Sequence, residues 1–313
     1  MANEGGLGVA VLAYGAGGEF RALIESLAAE GVPASAIVLV HNQAAPGESP
    51  PSAPEGVEVL ATGANPGYAG GMNAGIRRQL ERGAEQILVL THDARLRPGA
   101  LAALRGALAT QSGYGILGPA LVLPGTDVPY SFGGVTDANG ANSHRKQLPP
   151  GGGEVLDSDW VDGGTMLIRR AVFERVGEFD ERFWGYCEEA DLCLRARRAG
   201  FAVGVVPAAR ADQDSGMGKR IGAWAYLITR NGIEYAGRAK GARGLTASTL
   251  RSLWLVALNL ARAGLRAAHL RGGGTAEPWA LAVGTWRGVV DRYRGRWGAP
   301  PANLPGIGDV GGA

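Results

Sequence analysis

The sequence predicts an α/β protein: a mostly parallel sheet flanked by helices, followed by a helical C-terminal extension. Three observations lead there. Apolar runs of strand length alternate with amphipathic helical stretches from residue 7 to residue 110. Such alternation builds a mainly parallel sheet with helices on both faces. One late apolar run, 201–207, is then followed by helical periodicity over 221–239 and 248–271.

The elements follow in order. LGVAVLA, 7–13, reads as a buried strand, and Phe20, Leu23, Ile24 and Leu27 share one face of a helix. AIVLVH, 36–41, is a second strand, closed by the turn-rich QAAPGESPPSAPEG; VEVLAT, 57–62, is a third. A helix is predicted over 73–83, a strand from 85 towards 93, a helix over 99–110, and a further strand in GILGPALVLPG. Residues 124–158 are Gly- and Pro-rich with weak structure, a length that points to a lid or binding loop. The pattern resumes in TMLIRRAVFERVG, in the acidic segment 179–200 and in FAVGVVP; the tail from Ala299 is predicted to fray. Ligands of such sheets bind beyond the carboxyl ends of the strands. Those ends are Ala13-Tyr14, His41-Asn42, the loop from Gly63, and Thr91-His92-Asp93.

Composition narrows the function classes. The 313 residues allow one large domain or two moderate ones, and 46% hydrophobic residues suffice for a sizeable core. A net charge of +2 with no long basic run gives no reason to expect a nucleic-acid partner. Glu4 and a short apolar run do not make a signal peptide. The stretch nearest to a membrane span, 253–264, is broken by Asn259 and Arg262. The expectation is a cytoplasmic protein; 248–271 either packs on the preceding domain or lies on a membrane surface, and self-association stays open. Cys187 and Cys193, six apart, do not face each other on one helix and read as packing residues. His41, His92, His144 and His269 lack the spacing of a zinc site.

Three motifs carry chemistry. In FDERFWGYCEEADLCLRARRAG, Glu188, Glu189 and Asp191 put three carboxylates in four positions beside Phe183, Trp184 and Tyr186. Desolvation and mutual repulsion raise carboxylate pKa values, which suits a general base. The same residues also read as an acidic helix start, and Asp191 has a partner at i+4 in Arg195. NPGYAGGMNAG, 65–75, joins a strand to a helix; it is either a backbone cradle for a polar ligand or a tight turn, and it fits neither the dinucleotide nor the P-loop spacing. Asp93 ends an apolar strand, where it either holds a hard cation against phosphate oxygens or caps the helix that follows Pro98.

Taken in this order, the motifs resemble the family 2 glycosyltransferases with the GT-A fold, rhamnosyltransferase-like branch, over roughly residues 7–235. The resemblance implies a glycosyltransferase domain over 1–240 and a helical extension with a flexible tail over 241–313. It implies inverting transfer from a TDP- or UDP-linked sugar to a hydroxyl of a glycan, lipid-linked glycan or small molecule. By position, Ala13, Tyr14, His41, Asn42, Gly67, Gly71, Asn73, Thr91, His92, Asp93 and Arg230 fall at the nucleotide sugar. Asp93 falls at the metal, Mg²⁺ or Mn²⁺, and Gly163-Gly164 open the acceptor side. Glu189 falls at the base, with Glu188 second and Asp191 completing the motif.

Three positions depart from the family pattern. Glu189 stands where the family has Asp, a carboxylate reach longer by roughly 1–1.5 Å. The diphosphate motif reads Thr91-His92-Asp93 and keeps a single carboxylate. Gln213 falls where a late His is expected, flanked by Asp212 and Asp214 as substitute oxygen ligands. The alternative to metal is direct neutralisation of the diphosphate by Lys219, Arg220 or Arg230, each of which also reads as an ordinary solvated cation. A degenerate sugar-nucleotide-binding protein without turnover is the competing reading.

Overall fold

A computed structural model describes residues 6–15, 20–45, 47–151, 153–213, 221–268 and 276–306. The chain divides into two compact units: Met1–Val135, Ser143–Glu181 and Glu188–Ser215 form the first, and Thr136–Asn142, Arg182–Cys187 and Gly216–Ala313 the second. The grouping thus differs from the boundary expected after residue 240. Helix 221–267 packs with helix 276–293 within the second unit, which carries residues 221–240 across that boundary.

The first unit carries the sheet. Its strands and helices run β1 (Leu7–Tyr14), α1 (Phe20–Ala29), β2 (Ile37–Asn42), β3 (Glu58–Ala61), α2 (Gly67–Glu81), β4 (Gln86–Thr91), β5 (Arg95–Leu96), α3 (Ala100–Thr110) and β6 (Tyr114–Val122). Then come β7 (Pro129–Ser131), β8 (Gly134–Thr136), β9 (Asn142–His144), β10 (Leu156–Asp157), β11 (Thr165–Arg169), α4 (Arg170–Val176), α5 (Glu188–Arg198) and β12 (Ala202–Asp212). The order across the main sheet is β10-β12-β6-β11-β4-β1-β2-β3. β3, β2, β1 and β4 are parallel, β12 is parallel to β6, and β11 runs antiparallel between β4 and β6. The predicted architecture is therefore borne out, with one reversed central strand that a local reading of sequence does not reveal.

Alternation along β1 sorts the two faces of the sheet. Val9, Val11 and Ala13 join Leu23 and Leu27 of α1 and Leu104 and Leu108 of α3 in one buried cluster. Ala10 and Leu12 point to the other face, against the glycines of α2: a Cβ on Gly75 would lie 2.9 Å from Ala10 Cβ, and one on Gly71 2.6 Å from Leu12 Cδ1. This explains why helix α2 begins at Gly67 and not near residue 73. The glycine-rich stretch is a helix that approaches the sheet closely, rather than a loop ahead of one. Residues 124–158 also hold more structure than expected, since β7 to β10 lie within them.

The second unit is helical. α6 (Ile221–Ala267) runs as one element through 221–239 and 248–267, with non-helical angles only at Gly241 (φ 61°, ψ −147°), and α7 (Ala276–Tyr293) packs on it. Leu250, Leu253, Trp254, Leu260 and Leu265 of α6 are exposed, as are Trp279, Trp286 and Tyr293, spaced by seven on α7. Among the described residues no helix is long and apolar enough to cross a membrane. Cys187 and Cys193 are free and buried.

Candidate active site

The carboxyl ends of β1, β2 and β4 lie side by side, with Ala13 opposite His41, Tyr14 opposite Asn42 and Leu12 opposite Thr91. At this rim Ala13 is buried and Tyr14 exposed. His41 is fully buried; its ring makes no hydrogen bond, and Nε2 lies 3.7 Å from Glu48 Oε2. Asn42 Nδ2 donates to the carbonyl of Gly67 (2.7 Å), tying the start of α2 to the rim, while its Oδ1 is buried without a hydrogen-bond partner. The turn after β4 is closed by Ala94 N–H donating to Thr91 O (3.1 Å) and by Arg95, which donates to His92 O (2.8 Å) and Ala94 O (2.6 Å). Asp93 is exposed on this turn, and its carboxylate has no partner among the described residues.

The acidic segment does form a helix start: α5 opens with Glu188, Glu189 and Asp191 and closes with Arg195, Arg197 and Arg198, charges that complement the helix dipole. The three carboxylates nevertheless have different fates. Glu188 is buried, and Oε2 has no hydrogen-bond partner. Burial first, then the charges of Glu189, Asp162 and Asp191, raise its pKa well above the usual carboxylate range. Glu189 is half-exposed and packs towards Gly163, where an added Cβ would sit 3.4 Å from Glu189 Cβ and 3.1 Å from the Tyr68 hydroxyl. Asp191 is fully buried, with Oδ2 accepting from Arg195 Nε at 2.8 Å; Arg195 also donates to the carbonyls of Val176 (2.6 Å) and Glu178 (2.8 Å).

Two further residues belong to this cluster. The Tyr68 hydroxyl, from the first turn of α2, donates to Gly163 O at 2.5 Å. Burial first, and then Glu188, Glu189 and Asp162, push its pKa well up. Asp162 Oδ1 accepts from Gly164 N–H (2.8 Å) and from Gln213 Nε2 (3.0 Å), so Gln213 packs over the Asp162–Gly164 turn, and a Cβ on Gly164 would collide with it at 2.1 Å. Thr91 N–H donates to Gly164 O (3.1 Å), which fastens that turn to the end of β4 beside Asp93. The acidic helix start and the strand-end rim are thereby parts of one surface of the first unit.

Within the second unit, the segment immediately before Glu188 is strained. Trp184, Tyr186 and Cys187 have φ of 65°, 66° and 70°, a left-handed region that costs side-chain-bearing residues on the order of 1–3 kcal/mol each. Arg230 and Asn231, both fully buried, hold it: Asn231 Nδ2 lies within 2.7–2.9 Å of the carbonyls of Phe183, Gly185 and Tyr186, and Arg230 donates to Phe183 O (3.0 Å) and Gly298 O (2.8 Å). The Arg230 guanidinium also lies over the rings of Tyr226 (5.1 Å) and Trp297 (5.5 Å).

No protein-family model matches the chain. Over 153 residues (47% of the chain) it is 30% identical to the low-salt glycan biosynthesis hexosyltransferase Agl10 of Haloferax volcanii, covering 48% of that protein. Over 178 residues (49% of the chain) it is 30% identical to the N-acetylglucosaminyl-diphospho-decaprenol L-rhamnosyltransferase of Mycobacterium tuberculosis, covering 57% of it. The chain therefore spans about half the length of these curated relatives. Among solved structures, GalNAc-T7 crystallised with UDP, GalNAc and Mn²⁺ is similar with a TM-score of 0.53 at 13% identity, over 74% of this chain and 50% of that one. The chain has the GT-A fold and is related to the rhamnosyltransferase-like glycosyltransferases.

In this GT-A protein several expected site residues have other duties. Asp191 is neutralised by Arg195, so it is a brace of α5 and not a free catalytic carboxylate. Arg230 is buried and engaged with carbonyls and rings of its own unit, so it does not present a cation to a diphosphate. Asn73 is fully buried, with Nδ2 donating to Phe179 O (2.9 Å) and Glu181 Oε1 (3.0 Å), and Gly71 is a packing contact against Asn42 and Leu12. Both act on the scaffold of α2 rather than on a ligand. Asp212 Oδ1 accepts from Arg97 Nε and Nη2 (2.9 and 2.7 Å) and is not a spare oxygen ligand. Asp214, Lys219, Arg220 and His269 lie outside the described residues. Among the described residues no three His, Cys, Asp or Glu side chains are grouped to hold a metal ion. Tyr68 and Asp162 were not singled out from sequence; the signal for Asp162 was its place directly before Gly163-Gly164.

Proposed function

We propose that the protein transfers a hexosyl group, rhamnosyl foremost, from a nucleoside-diphosphate sugar to an acceptor hydroxyl, with inversion at the anomeric carbon. The observation that carries this reading is the Glu188–Glu189 pair. Burial pushes the pKa of Glu188 well above the usual carboxylate range, while its neighbour Glu189 is half-exposed. Neighbouring carboxyls whose environments drive them apart mark the division of acid and base roles. Glu189 is placed to take the acceptor proton as the acceptor oxygen attacks the anomeric carbon and the nucleoside diphosphate leaves with the electron pair. Tyr68 and Asp162 shape the wall beside it through Gly163 and Gly164.

The rim of Ala13, Tyr14, His41, Asn42, Thr91 and His92 is the proposed seat of the nucleotide, as ligands of such sheets sit beyond the strand ends. A single exposed carboxylate suits a Mg²⁺-type ion, which is bound by one or two carboxylates together with substrate phosphates. Asp93 would be that ligand, and the ion would neutralise charge on the departing diphosphate. The relative from M. tuberculosis is named for a lipid-linked diphosphate acceptor, and we extend that acceptor class to this chain. The exposed apolar stripe of α6 and α7 suits contact with an anionic bilayer surface, because residues 242–268 contain four arginines and no acidic residue. Co-sedimentation with vesicles containing phosphatidylglycerol, but not with neutral ones, is the expected result; truncation after Ala247 should abolish it.

The deciding experiment is a thermal-shift panel of nucleoside diphosphates with and without Mg²⁺ or Mn²⁺, followed by donor hydrolysis and transfer with the wild type and Glu189→Gln. A nucleotide should raise the transition, and the variant should keep that shift while losing activity on the order of 10²–10⁴-fold. A protein that no nucleotide stabilises is not such a transferase.

A further inference from the structure

The second unit contains a cleft of about 250 Å³, at the small end for ligand sites, and every residue that lines it belongs to that unit. Its walls come from the two arms of α6, on either side of Gly241, and from the loop that ends at Asn142. Several polar groups of the wall have no protein partner. Thr229 is buried, and its hydroxyl makes no hydrogen bond among the described residues; nor does the Ser248 hydroxyl. Asn142 accepts from Thr136 Oγ1 through Oδ1 (2.7 Å), which leaves its amide hydrogens available. Of the four arginines in 242–268, Arg243 donates to Asn139, Arg262 donates to Asn259 and Arg266 pairs with Glu277. The Arg251 guanidinium, in the cleft wall, makes no hydrogen bond or ion pair among the described residues. No Asp or Glu is among the lining residues. Donors around an unpaired guanidinium, with no carboxylate to compete, select an anionic oxygen, phosphate foremost.

Arg251 stands at the margin between the cleft and the exposed apolar stripe of α6. Ser248 and Leu255, a turn away on either side, line the cleft with it. Leu250 and Trp254, its neighbours at i−1 and i+3, are each 61% exposed. Arg251 is itself exposed, and a long side chain in that place holds its charge at a boundary between water and apolar surface. The headgroups of a bilayer occupy such a boundary. Trp224, Ile228 and Leu255 give the cleft an apolar side that suits the glycerol end of a lipid and offers nothing to a free phosphate ion. A zwitterionic headgroup brings a cation, for which a wall without a carboxylate has no partner. We propose that this cleft binds the headgroup of a single anionic phospholipid, with Arg251 as the ligand of its phosphate. The inference rests on the bilayer contact proposed above for α6 and α7, and gives that contact a preference among lipids.

The test uses the full chain and three soluble probes: dihexanoyl phosphatidylglycerol and dihexanoyl phosphatidylcholine, both as monomers, and inorganic phosphate. Apparent affinities are read from thermal midpoints for wild type, Arg251→Ala and Gly232→Leu. An added Cβ at Gly232, in the lining, meets nothing within 4 Å, so the larger side chain enters the cleft without a clash at its root. The glycerol lipid should bind the wild type more tightly than either other probe by roughly ten- to hundredfold, the scale of one charge-assisted hydrogen bond. Arg251→Ala should erase that preference, and Gly232→Leu should abolish binding. Arg251 is exposed, so its variant decides the matter should Gly232→Leu not fold. Equal affinity for the two lipids, an undiminished preference in Arg251→Ala, or inorganic phosphate binding as tightly as the glycerol lipid would each overturn the proposal. Co-sedimentation of the wild type with phosphatidylglycerol vesicles is recorded in parallel. Where it persists while the soluble lipids fail, the cleft is wrong and the bilayer contact stands; where the wild type binds neither vesicles nor soluble lipid, the bilayer contact itself has failed.

Discussion

The side-chain amide of Asn231 lies 2.9 Å from the carbonyl oxygen of Tyr186, a residue held at φ 66°. The same nitrogen also reaches Phe183 O and Gly185 O, so one buried amide fixes the backbone that leads into the proposed catalytic pair. Asn231→Leu fills similar volume but removes this donor from the carbonyls of Gly185 and Tyr186, while Phe183 O keeps Arg230, at a cost of about 1–3 kcal/mol. The expected outcome is a lowered urea midpoint together with a fall in kcat larger than any change in donor affinity. A variant that loses stability but keeps kcat would show that the clamp serves folding alone.

Glu188 gives a pH signature. Its folded pKa lies above its unfolded value near ~4.3. Below pH ~4 both states are protonated and the group is neutral to stability. As pH rises, the unfolded chain releases the proton first, and the folded state becomes progressively less favoured up to the raised pKa. Glu188→Gln lacks this penalty. Thermal midpoints measured from pH 4 to pH 8 should therefore converge at the acid end and separate upwards, with the variant the more stable; parallel curves would contradict a raised pKa at buried Glu188.

Gly71 tests the close approach of α2 to the sheet. A Cβ there would sit 2.5 Å from Asn42 Oδ1 and 2.6 Å from Leu12 Cδ1. Overpacking of this kind costs about 1–3 kcal/mol, and only about 1 kcal/mol returns from the better helix propensity of Ala. Gly71→Ala should lower the denaturant midpoint and weaken nucleotide binding, because Asn42 also holds Gly67 at the rim. Gly106, on an open face of α3, is the control, and its Ala variant should be as stable as the wild type or more so.

Asp93 is exposed and unpaired, so Asp93→Asn should leave the unfolding midpoint without ligand unchanged. If Asp93 holds the cation, the extra stabilisation that Mn²⁺ gives to the nucleotide complex disappears in the variant. Transfer should fall by roughly a hundredfold, the scale of several kcal/mol of lost charge stabilisation. An undiminished Mn²⁺ effect would remove Asp93 from the metal site.

Much of this was legible in the chain. The buried runs gave the strands of the sheet, because continuous apolar stretches have few alternatives, and the acidic helix start at Glu188 was readable from charge placement alone. The helical start of α2 was hidden, because Gly67, Gly70, Gly71 and Gly75 read locally as a loop while tertiary packing against Ala10 and Leu12 requires their small size in a helix. The role of Arg230 was misread for a related reason: a lone Arg-Asn pair carries no mark of burial, and only the strained carbonyls at 182–186 explain it. Asp162 escaped because its partner Gln213 lies 51 residues away.

The pairing of Asp191 with Arg195 has an electrostatic consequence for the encounter with substrate. Three carboxylates in four positions would surround the site with a repulsive potential for any nucleotide sugar, itself a dianion. Asp191 is balanced by Arg195, and burial pushes the pKa of Glu188 up, so the negative field of the helix start is smaller than three carboxylates in sequence suggest. Beyond a Debye length of ~8 Å at physiological salt, little of that reduced field remains to repel an approaching dianion.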